Sequence, residues 1–317
     1  MSWYGAIDVG GTKVAVGLVD AEGRLVASEA FPTVPERGPA AVVADTVAAL
    51  GALAGEKPLR GVGLACVGPL DLNRGLVLSP PNFPGWDQVP IVSMLADALG
   101  VPVALDNDAN LAALAEQRFG AGQGAEVLLY VTVSTGIGGG IVIGGQLLRG
   151  LGGAAGEIGH QTLRADGPPC GCGNRGCLEA LASGTAIARE ARKAIAAGRG
   201  ATMLALAGTP EALHAGHVAQ AAKHGDQAAA AIWDAAMAEL AIGLGNAIST
   251  LAPDRLVIGG GVAQAGEQLL APLRAGLARH VKMVPIDQLD IRIAALGAEA
   301  GLHGAGALAA GRYAPQT

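Results

Sequence analysis

Two bursts of glycine, each set between a pair of apolar segments, constrain this chain more than any other feature. Tyr4–Val9 and Val14–Val19 flank Gly10-Gly11-Thr12-Lys13, while Val127–Val133 and Gly138–Ile143 meet at a turn with four glycines in the five positions 136–140. Apolar runs broken by such turns read as β-hairpins. After the first hairpin come a strand Leu25–Ala30, a helix Ala40–Ala54, a strand Gly61–Val67, a helix Ile91–Leu99, a strand Val103–Leu105 and a helix Asp108–Phe119. After the second come helices Ser183–Ala197, Pro210–His224 and Gln227–Leu251, a strand Arg255–Ile258, a helix Gln268–His280, a strand Ile291–Ala294 and a helix Gly301–Ala310. One plan is used twice, which predicts a duplicated α/β domain. The 317 residues leave room for two.

Composition narrows the partners. The 50 glycines follow no three-residue period, and 51% of residues are apolar, so collagen and disorder are both excluded. A net charge of −6 without a block of like charges gives no basic stripe for nucleic acid and no polybasic membrane patch. The expected partner is a small molecule. The chain runs straight into a strand-like stretch, with Lys13 its first basic residue, and the apolar stretch after Gln227 is interrupted by Asp234 and Glu239. Neither a targeting leader nor a membrane span is expected, and the expected compartment is the cytoplasm. Of four cysteines, Cys66 stands alone in an apolar strand and reads as an inert core residue, whereas Cys170, Cys172 and Cys177 fall within eight residues. In a reducing compartment that grouping points to a metal before a disulfide.

Four clusters carry chemistry. In Asp8-Val9-Gly10-Gly11-Thr12-Lys13 the paired glycines let backbone N–H groups face an anion while Asp8 reaches Mg²⁺ or its water, although a plain hairpin turn has the same composition. In Ser134–Gly140 the bare turn lets a polyphosphate lie against the backbone with Thr135 as hydroxyl donor, and Gly259-Gly260-Gly261 ends a strand where open α/β sheets bind ligands. Asp106-Asn107-Asp108-Ala109-Asn110 begins a helix. Its polar residues serve as caps, or as a carboxylate that accepts a hydroxyl proton among amides that hold other hydroxyls. Finally, His160 with Cys170, Cys172 and Cys177 supplies four ligands for a closed tetrahedral zinc site, the competing reading being a reactive thiol cluster. His214, His217 and His224 share a helix face without a thiol or carboxylate and read as a solvated surface.

Together these motifs resemble the ROK family (repressors, open reading frames and sugar kinases) over essentially the whole chain. The resemblance implies two ribonuclease H-like domains of the actin/hexokinase type around a central cleft. Residues 1–118 with the closing helix 300–317 would form the smaller domain, and residues 119–299 the larger, with the zinc loop and a dimer surface. Asp8, Gly10, Gly11, Thr12 and Lys13 match the first phosphate motif, Thr135, Gly136 and Gly138 the second, and Gly259, Gly260 and Gly261 the adenosine motif. Asp108 then corresponds to the general base, and Gly68, Asn82, Asn107, Glu157, His160 and Glu179 to sugar contacts. His160 would bind zinc through one nitrogen and offer the other to the sugar. The implied reaction is transfer of the γ-phosphoryl of ATP, with Mg²⁺, to the 6-hydroxyl of a hexose by a homodimer or homotetramer. Repressors of the family carry a DNA-binding domain ahead of this fold; here the first phosphate strand starts at about residue 3, so an enzyme is expected in preference to a sugar sensor. Within the family the position of Glu157 is Glu in kinases of glucose or N-acetylglucosamine and His in many kinases of N-acetylmannosamine, which ranks glucose first.

Overall fold

A computed structural model describes residues 2–80 and 83–315. In chain order the first elements are β1 (Trp3–Val9), β2 (Lys13–Val19), β3 (Leu25–Pro32), α1 (Pro39–Ala54), β4 (Leu59–Cys66), β5 (Leu70–Asp71), β6 (Leu76–Val77), α2 (Ile91–Leu99), β7 (Val103–Asn107) and α3 (Asp108–Phe119). Then follow β8 (Val127–Val133), β9 (Ile137–Ile143), β10 (Gln146–Leu147), α4 (Leu178–Ala182), α5 (Gly184–Ala196), α6 (Ala201–Ala207) and α7 (Ala215–Lys223). The chain closes with α8 (Gln227–Leu251), β11 (Arg255–Gly259), α9 (Glu267–His280), β12 (Asp290–Ile293) and α10 (Ala300–Tyr313).

The duplication expected from the two hairpins is visible in the sheets. One runs β3-β2-β1-β4-β7 and the other β10-β9-β8-β11-β12. In the first, β3, β2 and β1 are antiparallel neighbours, and β4 and β7 join in parallel. In the second, β10 is antiparallel to β9, and β11 and β12 run parallel to β8. The inner strands are buried along most of their length, which explains why β4, β8 and β11 read as continuous apolar runs without alternation.

The chain divides into two compact units. Unit 1 takes residues up to 124, residues 140–155 and residues from 295 onward; unit 2 takes 125–139 and 156–294. Against the boundaries expected from sequence, residues 140–155 sit with the first unit, and a local reason is close packing on α3. A Cβ at Gly140 would lie 2.8 Å from the carbonyl oxygen of Ala109 and 2.7 Å from Cβ of Ala113, so only glycine lets β9 approach the helix this closely.

In unit 1, Ile7, Val16 and Leu64 pack with Leu50, Leu95 and Trp86 in one buried cluster. Tyr4, Ala6 and Ala65 pack with Leu111, Leu302 and Ala305 in another, where the small residues of α10 let it lie on β4. Buried Glu116 joins distant parts of this unit: its carboxylate accepts from the backbone N–H groups of Ala121, Ala295 and Leu296.

Unit 2 is built around α8, which Asp226 starts by accepting from the N–H groups of Ala228 and Ala229. By length and composition α8 could cross a membrane; here it is a core helix, with Trp233, Met237, Leu240 and Leu244 buried. Its Glu239 is also buried and pairs with Arg164.

Two local expectations change. The helix expected over Pro210–His224 starts instead at Ala215, because the imidazole of His214 accepts from Gly216 N–H and caps it there. The short α6 and the β5–β6 pair were not foreseen.

Candidate functional site

In unit 1 the first glycine turn follows β1 and is fastened on two sides. Gly10 N–H donates to Lys13 O at 3.0 Å, while Thr33 donates its hydroxyl to Gly10 O at 2.6 Å and its N–H to Thr12 O. Thr33 is buried and escaped sequence reasoning, since nothing local marks a residue 23 positions away as the brace of a turn.

Across the sheet, parallel pairing sets Val9 beside Cys66 and Cys66 beside Asn107, so the ends of β1, β4 and β7 are neighbours. Asn107 caps α3, its side-chain oxygen accepting from the N–H groups of Ala109 and Asn110. The capping duty thus falls on Asn107 and leaves its Nδ2 to donate elsewhere. Gly68 lies alongside, where a Cβ would be 3.6 Å from that Nδ2. Asp106 is fully buried and accepts from Asn107 N–H, from Asn110 Nδ2 at 2.9 Å and from Arg149 Nε at 2.7 Å. Asp108 opens the helix, with Oδ1 2.9 Å from Ala109 N.

Asp8 and Asp108 feel each other. Burial in the first place, and then the negative charge of Asp108, push the Asp8 carboxyl up from 3.8 to about 7 against the opposing pull of Lys13. The Cys66 thiol is likewise held above its ordinary value, first by burial and then by Asp108 and Asp8, which fits an inert core cysteine. Two carboxylates that disfavour each other's charge beside an amide-rich turn form an oxygen donor set that suits Mg²⁺.

This shift has a consequence for the metal-free protein. The unfolded chain releases the Asp8 proton near pH 4 and the folded chain only near pH 7, so the folded state loses relative stability as pH rises through that window. Asp8→Asn removes the loss. The variant should gain stability over the parent as pH rises from 4 to 7, levelling off at an order of a few kcal/mol. Thermal unfolding of both proteins at pH 5 and pH 8 without Mg²⁺ measures the gap; a gap that shrinks toward pH 8 contradicts the assignment.

In unit 2 the second glycine turn is held by Glu179. The Glu179 Oε2 accepts from Ile137 N–H at 3.0 Å and lies so close to Gly136 that a Cβ there would collide with the carboxylate. Beyond this turn, the carbonyls of Ser134 and Thr135 accept from the first N–H groups of α5, those of Gly184 and Thr185. Between these elements, α7 and the segment after β11 lies a cavity of about 750 Å³. Its wall includes Thr135, Thr185, His214, Lys223, Trp233 and Gly261. Thr135 and Gly261 were expected nucleotide ligands; the α5 and α7 residues were not. Gly259 and Gly260 sit behind the wall, against the Tyr130 ring and the Val133 carbonyl. Of the three histidines only His224 is a plain exposed surface residue, since His214 and His217 stack with centroids 3.6 Å apart and burial first, then His214, holds His217 below its ordinary value.

The fourth cluster comes together as expected. Ligand atoms of His160, Cys170, Cys172 and Cys177 all lie within 4.8 Å of one another. The Cys172–Cys177 sulfur separation is 3.7 Å, and His160 Nδ1 is 3.6 Å from Cys170 Sγ. A tetrahedron with Zn–S bonds of about 2.3 Å has sulfur–sulfur edges of about 3.8 Å, so the donors fit zinc. His160 turns Nδ1 to the sulfurs, while its Nε2 is 3.8 Å from Glu157 Oε2. Glu157 itself is exposed. Two residues after Cys177 comes Glu179, so one short segment links the thiols to the second glycine turn. Asn82 lies outside the described residues.

The sequence profile of the ROK family matches residues 4–312. The chain belongs to the ROK family. Among ROK relatives, a glucokinase of Thermotoga maritima is 36% identical over 302 residues, covering 95% of both chains. An N-acetylmannosamine kinase of Escherichia coli is 35% identical over 310 residues, 96% of this chain and 98% of the relative. The crystal structure of a ROK glucokinase from Streptomyces griseus in complex with glucose and AMPPNP is 36% identical, covers 97% of this chain and 99% of its own, and superposes with a TM-score of 0.82. The fold is that of the ROK hexokinases, α/β with two sheets of one plan.

Proposed function

We propose that this chain phosphorylates glucose at its 6-hydroxyl with ATP. The observation that carries this reading is the pairing, in unit 1, of the helix-initial carboxylate Asp108 with Asp8 at the mouth of the first glycine turn. A kinase needs a base for the attacking hydroxyl and a second acidic group for the metal side of the phosphates. The matching ROK glucokinase that holds both glucose and an ATP analogue supports the same assignment.

In this reading Asp108 accepts the proton of the 6-hydroxyl, and Asn107 donates from Nδ2 to a neighbouring hydroxyl. The turn Gly10–Lys13 offers backbone N–H groups to the phosphates. In unit 2 the Thr135–Gly138 turn and Gly261 on the cavity wall take nucleotide, with Gly259 and Gly260 behind them. Asp8 would hold Mg²⁺, whose charge would offset that of the transferring phosphoryl group. His160, Cys170, Cys172 and Cys177 hold zinc, and Glu157, Asn82, Gly68 and the remaining face of His160 contact the sugar. The same resemblance takes the working form as a cytoplasmic homodimer or homotetramer.

The second reading, N-acetylmannosamine kinase, has the Escherichia coli relative in its favour. Glu157 stands against it. A carboxylate accepts from hydroxyls near C1 and C2 of an equatorial sugar, and a site built for hydroxyls rejects analogues that leave its polar groups unpaired. An assay of ADP release with ATP, Mg²⁺ and a panel of hexoses tests both. Glucose should give a higher kcat/KM than mannose and N-acetylmannosamine; the opposite order makes N-acetylmannosamine the substrate, and no turnover on any hexose leaves a sugar sensor.

A further inference from the structure

Unit 1 has a second cavity, of about 230 Å³, at the last turns of α3 and α10 and the β10 hairpin. Its lining includes Leu114, Gln146 and Leu308 together with three arginines, Arg118, Arg149 and Arg312, and contains no acidic residue. Three arginines lining one small space repel one another unless something negative offsets them.

The protein uses the arginines only in part: Arg312 shares a side-chain hydrogen bond with Tyr313, and Arg118 and Arg149 each spend one N–H. Among the described residues no carboxylate comes within 4 Å of Arg118 or Arg312, so neither has an ion-pair partner there. Arg118 is half-buried and donates Nη1 to the Ala307 carbonyl at 3.0 Å, and burial holds it below its ordinary value. Arg149 uses only Nε, on Asp106, which leaves its two terminal NH₂ groups without a partner among the described residues. Three positive charges against the one of Asp106 leave a surplus of two. Planar guanidinium forks match phosphate oxygens in pairs, and a volume under the about 300–1,000 Å³ of drug-sized sites suits a small anion better than a nucleotide.

We propose that this arginine-lined groove binds a phosphate dianion, free or carried by a small monoester, at a place separate from the sites described above. The test reads binding, so it stands apart from the kinase reading. Inorganic phosphate, and in a second arm glycerol phosphate, are titrated by calorimetry into the full chain saturated with glucose and AMPPNP, so that the glycine turns do not compete. One saturable event is expected, weakened about tenfold or more in Arg312→Gln, the loss of one charge-assisted bond. The arm that binds more tightly tells free phosphate from monoester. Arg312 is exposed at the end of α10, so this variant keeps its fold, which its melting curve verifies; Arg118→Gln is the second variant. Absence of saturable binding by both probes, or binding unchanged in both variants, overturns the proposal.

Discussion

Asp108→Asn should lower kcat for glucose by about 10²–10⁴-fold while glucose still binds. The amide keeps the shape of the carboxylate and its oxygen still accepts from Ala109 N–H, so the start of α3 is undisturbed. The helix cap belongs to Asn107 in any case. What disappears is the group proposed to take the hydroxyl proton. Loss of charge beside Asp8 should also let the Asp8 carboxyl ionise more easily, because Asp108 is one of the two causes that push it up. Steady-state turnover and glucose binding by calorimetry, measured on the same preparation, separate catalysis from recognition. Turnover within about threefold of the parent would remove Asp108 from the role of base.

Cys172→Ser should release the zinc proposed for this site and raise KM for glucose. Protein purified without chelator should carry one zinc per chain by elemental analysis, and the variant should carry little. The cost follows from geometry. Even an outer partner of a metal ligand is worth about 10–100-fold in affinity or activity, and in the proposed site Cys172 is a direct ligand. Cys172 is exposed, so the substitution leaves no cavity in the core. The effect spreads along the chain: His160 loses the metal that fixes its ring, and Glu179, two residues beyond Cys177, loses the anchor from which it holds Ile137 N–H. KM for ATP should therefore rise as well as that for glucose. Parent protein without zinc, or a zinc-free variant with unchanged KM values, contradicts this account.

Much of this was legible in the sequence because it is local. Glycine bursts after apolar strands announce turns, and hydrophobic period announces the two repeats. The spacing of His160, Cys170, Cys172 and Cys177 announces a metal site because four donors in eighteen positions can all reach one ion. What stayed hidden depends on pairing across the chain. Nothing near Arg149 says that it will meet Asp106, and nothing near Thr33 says that it will brace Gly10 and Thr12. The α7 wall of the large cavity was hidden for a related reason. His214 looked like part of a helix face, yet its ring caps α7 and stacks on His217, a use of imidazole that periodicity does not report. Residues 140–155 were misplaced for the same cause, since closeness to α3 depends on the missing side chain of Gly140 and not on any local pattern.

The clip at Glu116 bears on how the chain is made. It gathers the N–H of Ala121, just before the chain leaves unit 1, and those of Ala295 and Leu296, just after it returns. The residues from 156 to 294 therefore emerge from the ribosome and can settle before the return segment exists. The sheet that starts the chain must wait: Gly63 in β4 rests against Ala305 in α10, roughly 240 residues later, which at about 5–20 residues per second is some tens of seconds of synthesis. Throughout that interval the side of β1 and β4 destined for α10 has only Leu111 and Leu114 of α3 to cover it. A nascent chain of this protein is thus most exposed to aggregation at its first-made part, and damage to its last helix is felt at its first strand.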